Sequence, residues 1–250
     1  MVIALTQFEQ GKPFPGDAPA ALSALQARLV QLNRAQIAHA RRSIVLLEGW
    51  DGSGRKPVLR QLLGALDPCQ AAVHCAAAPV FADEERHWLT PFWTRLPKAA
   101  ETSLYYGSWY RRPIEERARG LMDEAHWARA FDEINEFEAQ QLDSGTLLVK
   151  LFFHVSEAVR ERRLRARAAD PWLRGTLASV QHVEREQVLG ALDRMLDATD
   201  TRWAPWTVID ANDEASAQVA ALSAVADLLE KKLPGQPPAS DTVVPFTRAG

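Results

Sequence analysis

The chain has 250 residues, of which 47% are hydrophobic and 24% are charged, a composition that suits one globular α/β domain. Its net charge of -3 excludes a general electrostatic attraction to nucleic acid or to a membrane surface, so neither is an expected partner. The sequence has no long apolar run and no secretory leader pattern, and it has only two cysteines, which together favour a reduced, cytoplasmic protein.

The first 17 residues are polar and contain glycine and proline, so we expect an irregular N-terminal arm. Asp17 and Pro19 then open a helix, because proline is well tolerated at the first helical position. Residues 234–250 are polar and rich in proline, and we expect them to form a disordered tail.

Between these ends, strand-like and helix-like segments alternate. The predicted strands are residues 44–47, 71–78, 102–106, 146–155 and 205–209. The predicted helices are residues 18–42, 58–66, 83–93, 125–142, 156–168, 180–198 and 214–233. Five strands alternating with helices predict an α/β fold with a parallel sheet covered on both faces. Ligands of such sheets bind outside the carboxyl ends of the strands.

A glycine-rich turn, Gly49 to Gly54, follows the first predicted strand and precedes a helix. This is the P-loop arrangement, in which backbone N–H groups and a helix N-terminus surround a phosphate. The usual pattern is G-x-x-x-x-G-K-[ST], but Arg55 stands at the lysine and Lys56 at the Ser/Thr position. The alternative is an ordinary βα turn that uses glycine for its geometry alone.

Four further sets of residues are candidates for phosphate or nucleotide chemistry. Asp51 lies inside the turn, where it either holds Mg²⁺ or forms a turn with its own backbone. Arg111, Arg112 and Arg117 form a basic cluster, which either binds phosphate or balances nearby glutamates.

Three arginines share one predicted helix face, which is either a solvated surface or a track for a polyanion: Arg160, Arg163 and Arg167. Three tryptophans near strand ends either stack a base or belong to the core: Trp50, Trp109 and Trp206.

Four segments resemble, in order and spacing, the signatures of the polyphosphate kinase 2 family, a group of P-loop kinases. The signature E-G-x-D-x-x-G-K stands here as Glu48-Gly49-Trp50-Asp51-Gly52-Ser53-Gly54-Arg55, and D-R-S-W-Y-x-R is matched by Ser108, Trp109, Tyr110 and Arg112, with Glu116 and Arg117 beyond. The other matches are W-x-x-A…E-I-N-x-F-E-x-x-L…G…K-x-x-x-H, from Trp127 to His154, and T-x-T-x-x-A-P-W, from Thr199 to Trp206.

The resemblance implies a three-layer, thymidylate-kinase-like P-loop domain over residues 18–233, with a helical lid at about 170–187. It also implies a homo-oligomer that moves a phosphoryl group, with Mg²⁺, between inorganic polyphosphate and a nucleotide (AMP or ADP, GMP or GDP). By resemblance, Asp51 lies at the magnesium and the transferred phosphate, and Arg55 and Arg112 take part in transfer. The predicted phosphate-binding residues are Gly49, Gly52, Ser53, Gly54, Arg55, Lys56 and Arg117.

The chain departs from the family pattern at several positions, three of which lie in the first two signatures. Tyr106 stands where the family has a second magnesium-binding acidic residue, Gly107 where it has arginine, and Arg55 where it has lysine. This resembles the degenerate first half of the two-domain, AMP-phosphorylating members. We therefore expect a phosphotransferase with an altered active site, or alternatively a catalytically silent polyphosphate-binding or scaffold member. A third reading, an ATP-dependent kinase of small molecules, depends on the P-loop alone.

Overall fold

A computed structural model describes residues 3–75, 86–172 and 185–239 of the chain. The strands are β1 (Ser43–Gly49), β2 (Ala71–Cys75), β3 (Thr102–Tyr106), β4 (Leu147–His154) and β5 (Trp206–Asp210). The helices are α1 (Ala18–Ala38), α2 (Arg55–Ala65), α3 (Thr90–Trp93), α4 (Arg111–Ala118), α5 (Glu124–Asp143), α6 (Glu157–Ala169), α7 (Arg185–Thr199) and α8 (Glu214–Lys232). No described helix has the length and apolarity needed to cross a membrane.

The five strands form one parallel sheet in the order β2-β3-β1-β4-β5. The central strand β1 pairs with β3 on one side and β4 on the other, with Leu47 opposite Tyr106 and Gly49 opposite Phe153. This register brings the carboxyl ends of the three strands to one edge of the sheet. The predicted α/β fold with a five-stranded parallel sheet is confirmed.

Helices cover both faces of the sheet, because alternate residues of the buried strands point in opposite directions. Val45 and Leu47 of β1 pack against α1, α2 and α8. Ile44 and Leu46 pack against α5, α7 and the segment after β3. The result is three layers around a sheet that is apolar on both sides.

A buried ion pair joins α5 to the sheet beneath the segment that follows β3. Lys150 Nζ of β4 lies 2.9 Å from Glu138 Oε2 of α5, and it also donates to the carbonyl of Thr199 at 2.7 Å. Glu138 accepts hydrogen bonds from Trp109 Nε1 at 3.0 Å and from the Tyr110 hydroxyl at 2.6 Å. Burial lowers the pKa of Lys150, although Glu138 opposes that shift. The network fixes the conformation of residues 108–110 at the edge of the site.

The N-terminal arm has a short 3₁₀ turn, Leu5–Phe8, and lies across the carboxyl end of β5. The side chain of Leu5 is fully buried, and its backbone N–H donates to Asp193 Oδ1 at 3.1 Å. The N–H of Gly11 donates to Asp210 Oδ2 at 2.8 Å. The arm that we expected to be irregular is therefore docked on the sheet through specific hydrogen bonds.

Helix α4, near the site, is not among the predicted helices. Its Pro113 lies in the first helical turn, where proline is tolerated. Most of the predicted lid (residues 173–184) and most of the predicted tail (residues 240–250) lie outside the described residues, as do residues 76–85.

Candidate active site

The loop between β1 and α2 has a backbone that only glycine adopts readily. Gly49, Gly52 and Gly54 have φ angles of +129°, +83° and +85°. A Cβ on Gly49 would lie 2.3 Å from the carbonyl oxygen of Phe153 in β4, so no other residue fits there without moving the sheet. The backbone of the loop thus requires these glycines, and their phosphate-binding role stays a prediction.

Several N–H groups of this loop have no hydrogen-bond acceptor in the part of the chain that the structure describes. Ser53 N donates to Trp50 O at 3.1 Å, but the N–H groups of Gly52, Gly54 and Arg55 have no hydrogen-bond acceptor among the described residues. The Ser53 hydroxyl is buried and also without a partner in that part of the chain. Free donors beside a helix N-terminus form a favourable environment for an anion.

Arg55 is the first residue of α2, and its side chain turns back toward the sheet. It is only 7% exposed. Its Nη2 lies 3.2 Å from Asp51 Oδ1, its Nη1 donates to the carbonyl of Leu47 at 3.3 Å, and its guanidinium lies 4.6 Å from the centre of the Tyr106 ring. Arg55 is therefore a buried cation held by one carboxylate, one carbonyl and one aromatic face.

The carboxylates near this loop do not build a metal site. The side chain of Asp51 is 44% exposed and is paired with Arg55. Glu48 is buried and accepts hydrogen bonds from the backbone N–H and the hydroxyl of Ser108. Within the described residues, no group of three His, Cys, Asp or Glu side chains is placed to hold a metal ion. These residues do not fit a resident Mg²⁺, which needs several oxygen ligands.

Glu48, near the end of β1, instead connects that strand to the segment after β3 through hydrogen bonds. The Ser108 hydroxyl donates to Glu48 Oε1 at 2.6 Å. Burial raises the pKa of Glu48, while the hydrogen bonds from Ser108 and the charge of Arg55 oppose that rise. The contact fixes the two strand ends that form the floor of the site.

A cleft of about 340 Å³ opens at the carboxyl ends of β1 and β3, between the P-loop, α4 and α7. Its charged lining contains five arginines and three acidic residues. The lining residues are Glu48, Gly49, Trp50, Asp51, Arg55, Tyr106, Gly107, Tyr110, Arg111, Ile114, Glu115, Ala118, Arg119, Phe152, Arg160, Arg185, Val188, Leu192 and Met195.

Helix α4 determines which arginines of the basic cluster reach this cleft. Arg111 begins α4, Arg119 directly follows it, and both line the cleft. Arg112 lies outside the lining, where it pairs with Glu116 at 2.6 Å. Arg117 also lies outside, where it donates to Glu124 at 2.9 Å. Sequence reasoning missed Arg119, because the helix that brings it to the cleft was not predicted.

The other predicted loop residues lie around the turn. Gly49, Asp51 and Arg55 belong to the cleft lining, while Lys56 is exposed on the first turn of α2. Gly52 lies under α6, since a Cβ there would be 3.4 Å from the carbonyl oxygen of Arg160. The site assignments as a set remain predictions.

One arginine of the predicted basic face supports the loop from behind. Arg163 of α6 donates to the carbonyls of Gly52 at 3.1 Å, Ala211 at 2.8 Å and Asn212 at 3.2 Å. These bonds join α6, the P-loop and the segment after β5. Arg163 thus holds protein carbonyls rather than facing solvent as part of an open basic track.

Trp50 connects the loop to the N-terminal arm. Its indole N–H donates to Nδ1 of His154 at 3.1 Å, so the proton of that neutral ring lies on Nε2, which donates to Glu9 at 2.8 Å. The guanidinium of Arg185 lies 4.5 Å from the centre of the Trp50 ring. Trp109 and Trp206, in contrast, are core residues.

A sequence model of a known family, described as "Polyphosphate kinase 2 (PPK2)", matches residues 16–237. This chain belongs to the polyphosphate kinase 2 family. The resemblance stated from its four sequence segments is confirmed, and so is the P-loop-kinase-like fold.

Curated relatives within the polyphosphate kinase 2 family are phosphotransferases by name. The polyphosphate:AMP phosphotransferase of Pseudomonas aeruginosa is 32% identical over 212 residues, which are 84% of this chain and 43% of that protein. The ADP-polyphosphate phosphotransferase 2 of Rhizobium meliloti is 29% identical over 217 residues, which are 86% of this chain and 70% of that protein. The match therefore spans less than half the length of the polyphosphate:AMP phosphotransferase.

Solved structures of polyphosphate kinase 2 proteins have the same fold. A crystal structure of polyphosphate kinase 2 from Arthrobacter aurescens TC1 matches with a TM-score of 0.85 and 25% identity, over 95% of this chain and 87% of that one. The structure of a putative polyphosphate kinase 2 from Pseudomonas aeruginosa PA01 matches with a TM-score of 0.81 and 30% identity, over 89% of this chain and 49% of that one.

Proposed function

We propose that this chain transfers a phosphoryl group between inorganic polyphosphate and a nucleoside mono- or diphosphate, through an altered centre. The observation that supports this most strongly is the cleft at the strand ends, where five arginines lie beside a glycine loop with unpaired N–H groups. In phosphoryl transfer, most of the catalysis comes from positioning the phosphates and neutralising their charge. Relatives named for polyphosphate and for AMP or ADP supply the substrate classes.

In this proposal, one phosphate group of the polyphosphate binds to the loop from Gly49 to Gly54 and to the exposed Lys56. Arg111 and Arg119 neutralise further phosphate oxygens from α4, because they line the cleft. Arg112 and Arg117 act at the outer rim, where a long polyanion extends beyond the cleft.

The acceptor is AMP or ADP, or GMP or GDP. Its base lies against the apolar wall of Ile114, Val188, Leu192 and Met195. The described residues do not build a site for Mg²⁺, so the divalent ion that the family resemblance implies would enter with the phosphate substrate. When bound, it neutralises phosphate charge.

We expect transfer to be slow. The position that holds a second acidic residue in the family is Tyr106 here, and the neighbouring arginine is Gly107. The loss of one positioned charge costs factors on the order of 10³ or more in the arginine-finger case. Measurements therefore need high enzyme concentration.

The test is a transfer assay with polyphosphate, Mg²⁺ and each of AMP, ADP, GMP and GDP, with the products separated by anion exchange. We expect a phosphorylated nucleotide from the wild type. Arg111→Ala and Arg119→Ala should raise the KM for polyphosphate more than Arg112→Ala and Arg117→Ala do. Arg129→Ala serves as a charge-matched control, since Arg129 lies on the exposed side of α5 and pairs with Glu133. The absence of product from all four nucleotides would contradict the proposal.

A second candidate is a silent member that binds polyphosphate or nucleotide, or acts as a scaffold, without turnover. The pairing of Asp51 with Arg55 favours it, because that carboxylate is already neutralised. It predicts polyphosphate binding that weakens with salt and yields no phosphorylated nucleotide. Light scattering on the same samples tests the homo-oligomer that the family resemblance implies.

A further inference from the structure

Arg55 occupies an unusual position for a P-loop residue. Its guanidinium does not extend over the glycine turn but lies between Asp51, the Leu47 carbonyl and the Tyr106 ring. Each of these three contacts is one that a bound cation makes: a carboxylate, a carbonyl oxygen and an aromatic face. The side chain therefore has the surroundings of a cation-binding site.

This arrangement excludes a second cation from the same place. A divalent ion at Asp51 Oδ1 would lie close to the guanidinium, 3.2 Å from that oxygen, and like charges repel strongly in a partly buried site. Tyr106 offers an aromatic ring where the family has a carboxylate, and rings are poor ligands for Mg²⁺. Among the described residues, no cluster of three metal-ligating side chains offers an alternative site.

The guanidinium also keeps hydrogen-bonding capacity for an anion. Arginine has five N–H donors. The Nε of Arg55 is buried and has no partner among the described residues, and Arg55 lines the cleft. A phosphate at the loop would therefore meet a fixed positive charge.

We infer that the Arg55 guanidinium is a built-in counter-cation, which takes the place of a divalent metal beside Asp51 and lets this loop bind inorganic polyphosphate without Mg²⁺. The inference depends on the proposed function for the identity of the ligand. It adds that the Arg55 guanidinium, which Asp51 and Tyr106 hold in place, neutralises phosphate charge when polyphosphate is bound. Mg²⁺ then affects transfer and not the binding of polyphosphate.

The test is calorimetric titration of the full chain with polyphosphate of defined length, in EDTA and in Mg²⁺ at matched ionic strength. For the wild type we expect the two Kd values to agree within about threefold, since no metal-bridged contact is lost in EDTA. Arg55→Gln should weaken binding in EDTA by about tenfold or more, because Asp51 is then an unneutralised charge beside the phosphate.

Two controls make the result specific. Arg60→Gln makes the same change of charge on an exposed position of α2 and should leave both Kd values within about twofold of the wild type. Asp51→Asn should keep or tighten binding in EDTA, because it removes a negative charge and leaves the guanidinium. Thermal unfolding shows whether each variant is folded. If Arg55→Gln does not fold, the comparison of wild-type Kd values in EDTA and in Mg²⁺ still tests the inference.

Wild-type binding that disappears in EDTA would overturn the inference, as would equal behaviour of Arg55→Gln and Arg60→Gln. The outcomes also separate this inference from the proposed function. Binding in EDTA without any phosphorylated nucleotide in the transfer assay would keep the inference and remove the phosphotransferase. Product formation together with polyphosphate binding that strictly requires Mg²⁺ would keep the phosphotransferase and remove the inference.

Discussion

The guanidinium of Arg55 lies 4.6 Å from the centre of the Tyr106 ring. These two residues stand at two of the positions where the chain departs from the family signatures, and they are in direct contact. Because β1 and β3 are neighbours in register, the residue after the P-loop and the last residue of β3 meet at one point. The two positions that differ from the family signatures are thus neighbours in the folded chain.

Restoring a carboxylate at this point should increase phosphoryl transfer. We expect Tyr106→Asp, combined with Arg55→Lys, to raise the transfer rate by about tenfold or more in the presence of Mg²⁺, because it returns a positioned charge to the centre. The rate of nucleotide phosphorylation from polyphosphate measures this. The matched control is Tyr106→Asn with Arg55→Lys, which has the same shape without the charge. Equal rates for both variants would show that the missing carboxylate does not limit transfer.

The loop should tolerate no side chain at its first glycine. Gly49→Ala is expected to reduce the free energy of unfolding by about 2–4 kcal/mol, because its Cβ would meet the Phe153 carbonyl at 2.3 Å and its φ angle is positive. Chemical denaturation measures the change. Gly190→Ala, on an exposed helical position with open space around it, should instead stabilise by about 0.5–1 kcal/mol. A Gly49→Ala variant as stable as the wild type would contradict the geometry of the loop.

The buried ion pair beneath the site should be costly to break from one side. Lys150→Met is expected to cost about 3–5 kcal/mol, because it leaves the Glu138 carboxylate charged and buried. The double change Lys150→Met with Glu138→Gln should cost clearly less than the sum of the two single changes. A double-mutant cycle from urea unfolding measures the coupling, and strictly additive costs would argue against the pair.

Acidic pH should destabilise the fold through His154. Burial lowers the pKa of His154, while Glu9 and Asp193 raise it and Arg185 lowers it further. The unfolded chain therefore binds a proton more readily than the folded one. Stability from this residue is present above a pH of about 6.5 and is lost as the pH falls toward the lowered pKa of the folded state.

The measurement for His154 is the Tm of the wild type and of His154→Gln between neutral and mildly acidic pH. We expect a smaller loss of Tm in His154→Gln, because its amide still accepts from Trp50 and does not titrate. His126→Gln, at an exposed position, is the control. Identical pH profiles for all three proteins would remove His154 as the cause.

Much of the fold could be predicted because its strands are short apolar runs with clear ends. The predicted strand at residues 102–106 coincides with β3, and the side chain of Asp17 caps α1 by accepting from the N–H of Ala20 at 3.0 Å. These features depend on nearby residues, which is why a pattern in the sequence indicates them.

The remaining features of the fold and of the candidate site depend on contacts between distant parts of the chain. Helix α4 was not predicted, and without it the sequence did not show that Arg111 and Arg119 line the cleft while Arg112 does not. The role of Arg163 follows from bonds to Gly52, 111 residues away, which no local pattern encodes.

The most direct measurement is the phosphorylation of a nucleoside mono- or diphosphate by the chain on its own, with polyphosphate as sole donor. The wild type at high concentration should form the phosphorylated nucleotide slowly, and the double variant Arg111→Ala with Arg119→Ala should form clearly less at limiting polyphosphate, because both arginines line the cleft. Wild-type protein that yields no product, or a double variant that yields the same amount, would contradict transfer at this cleft.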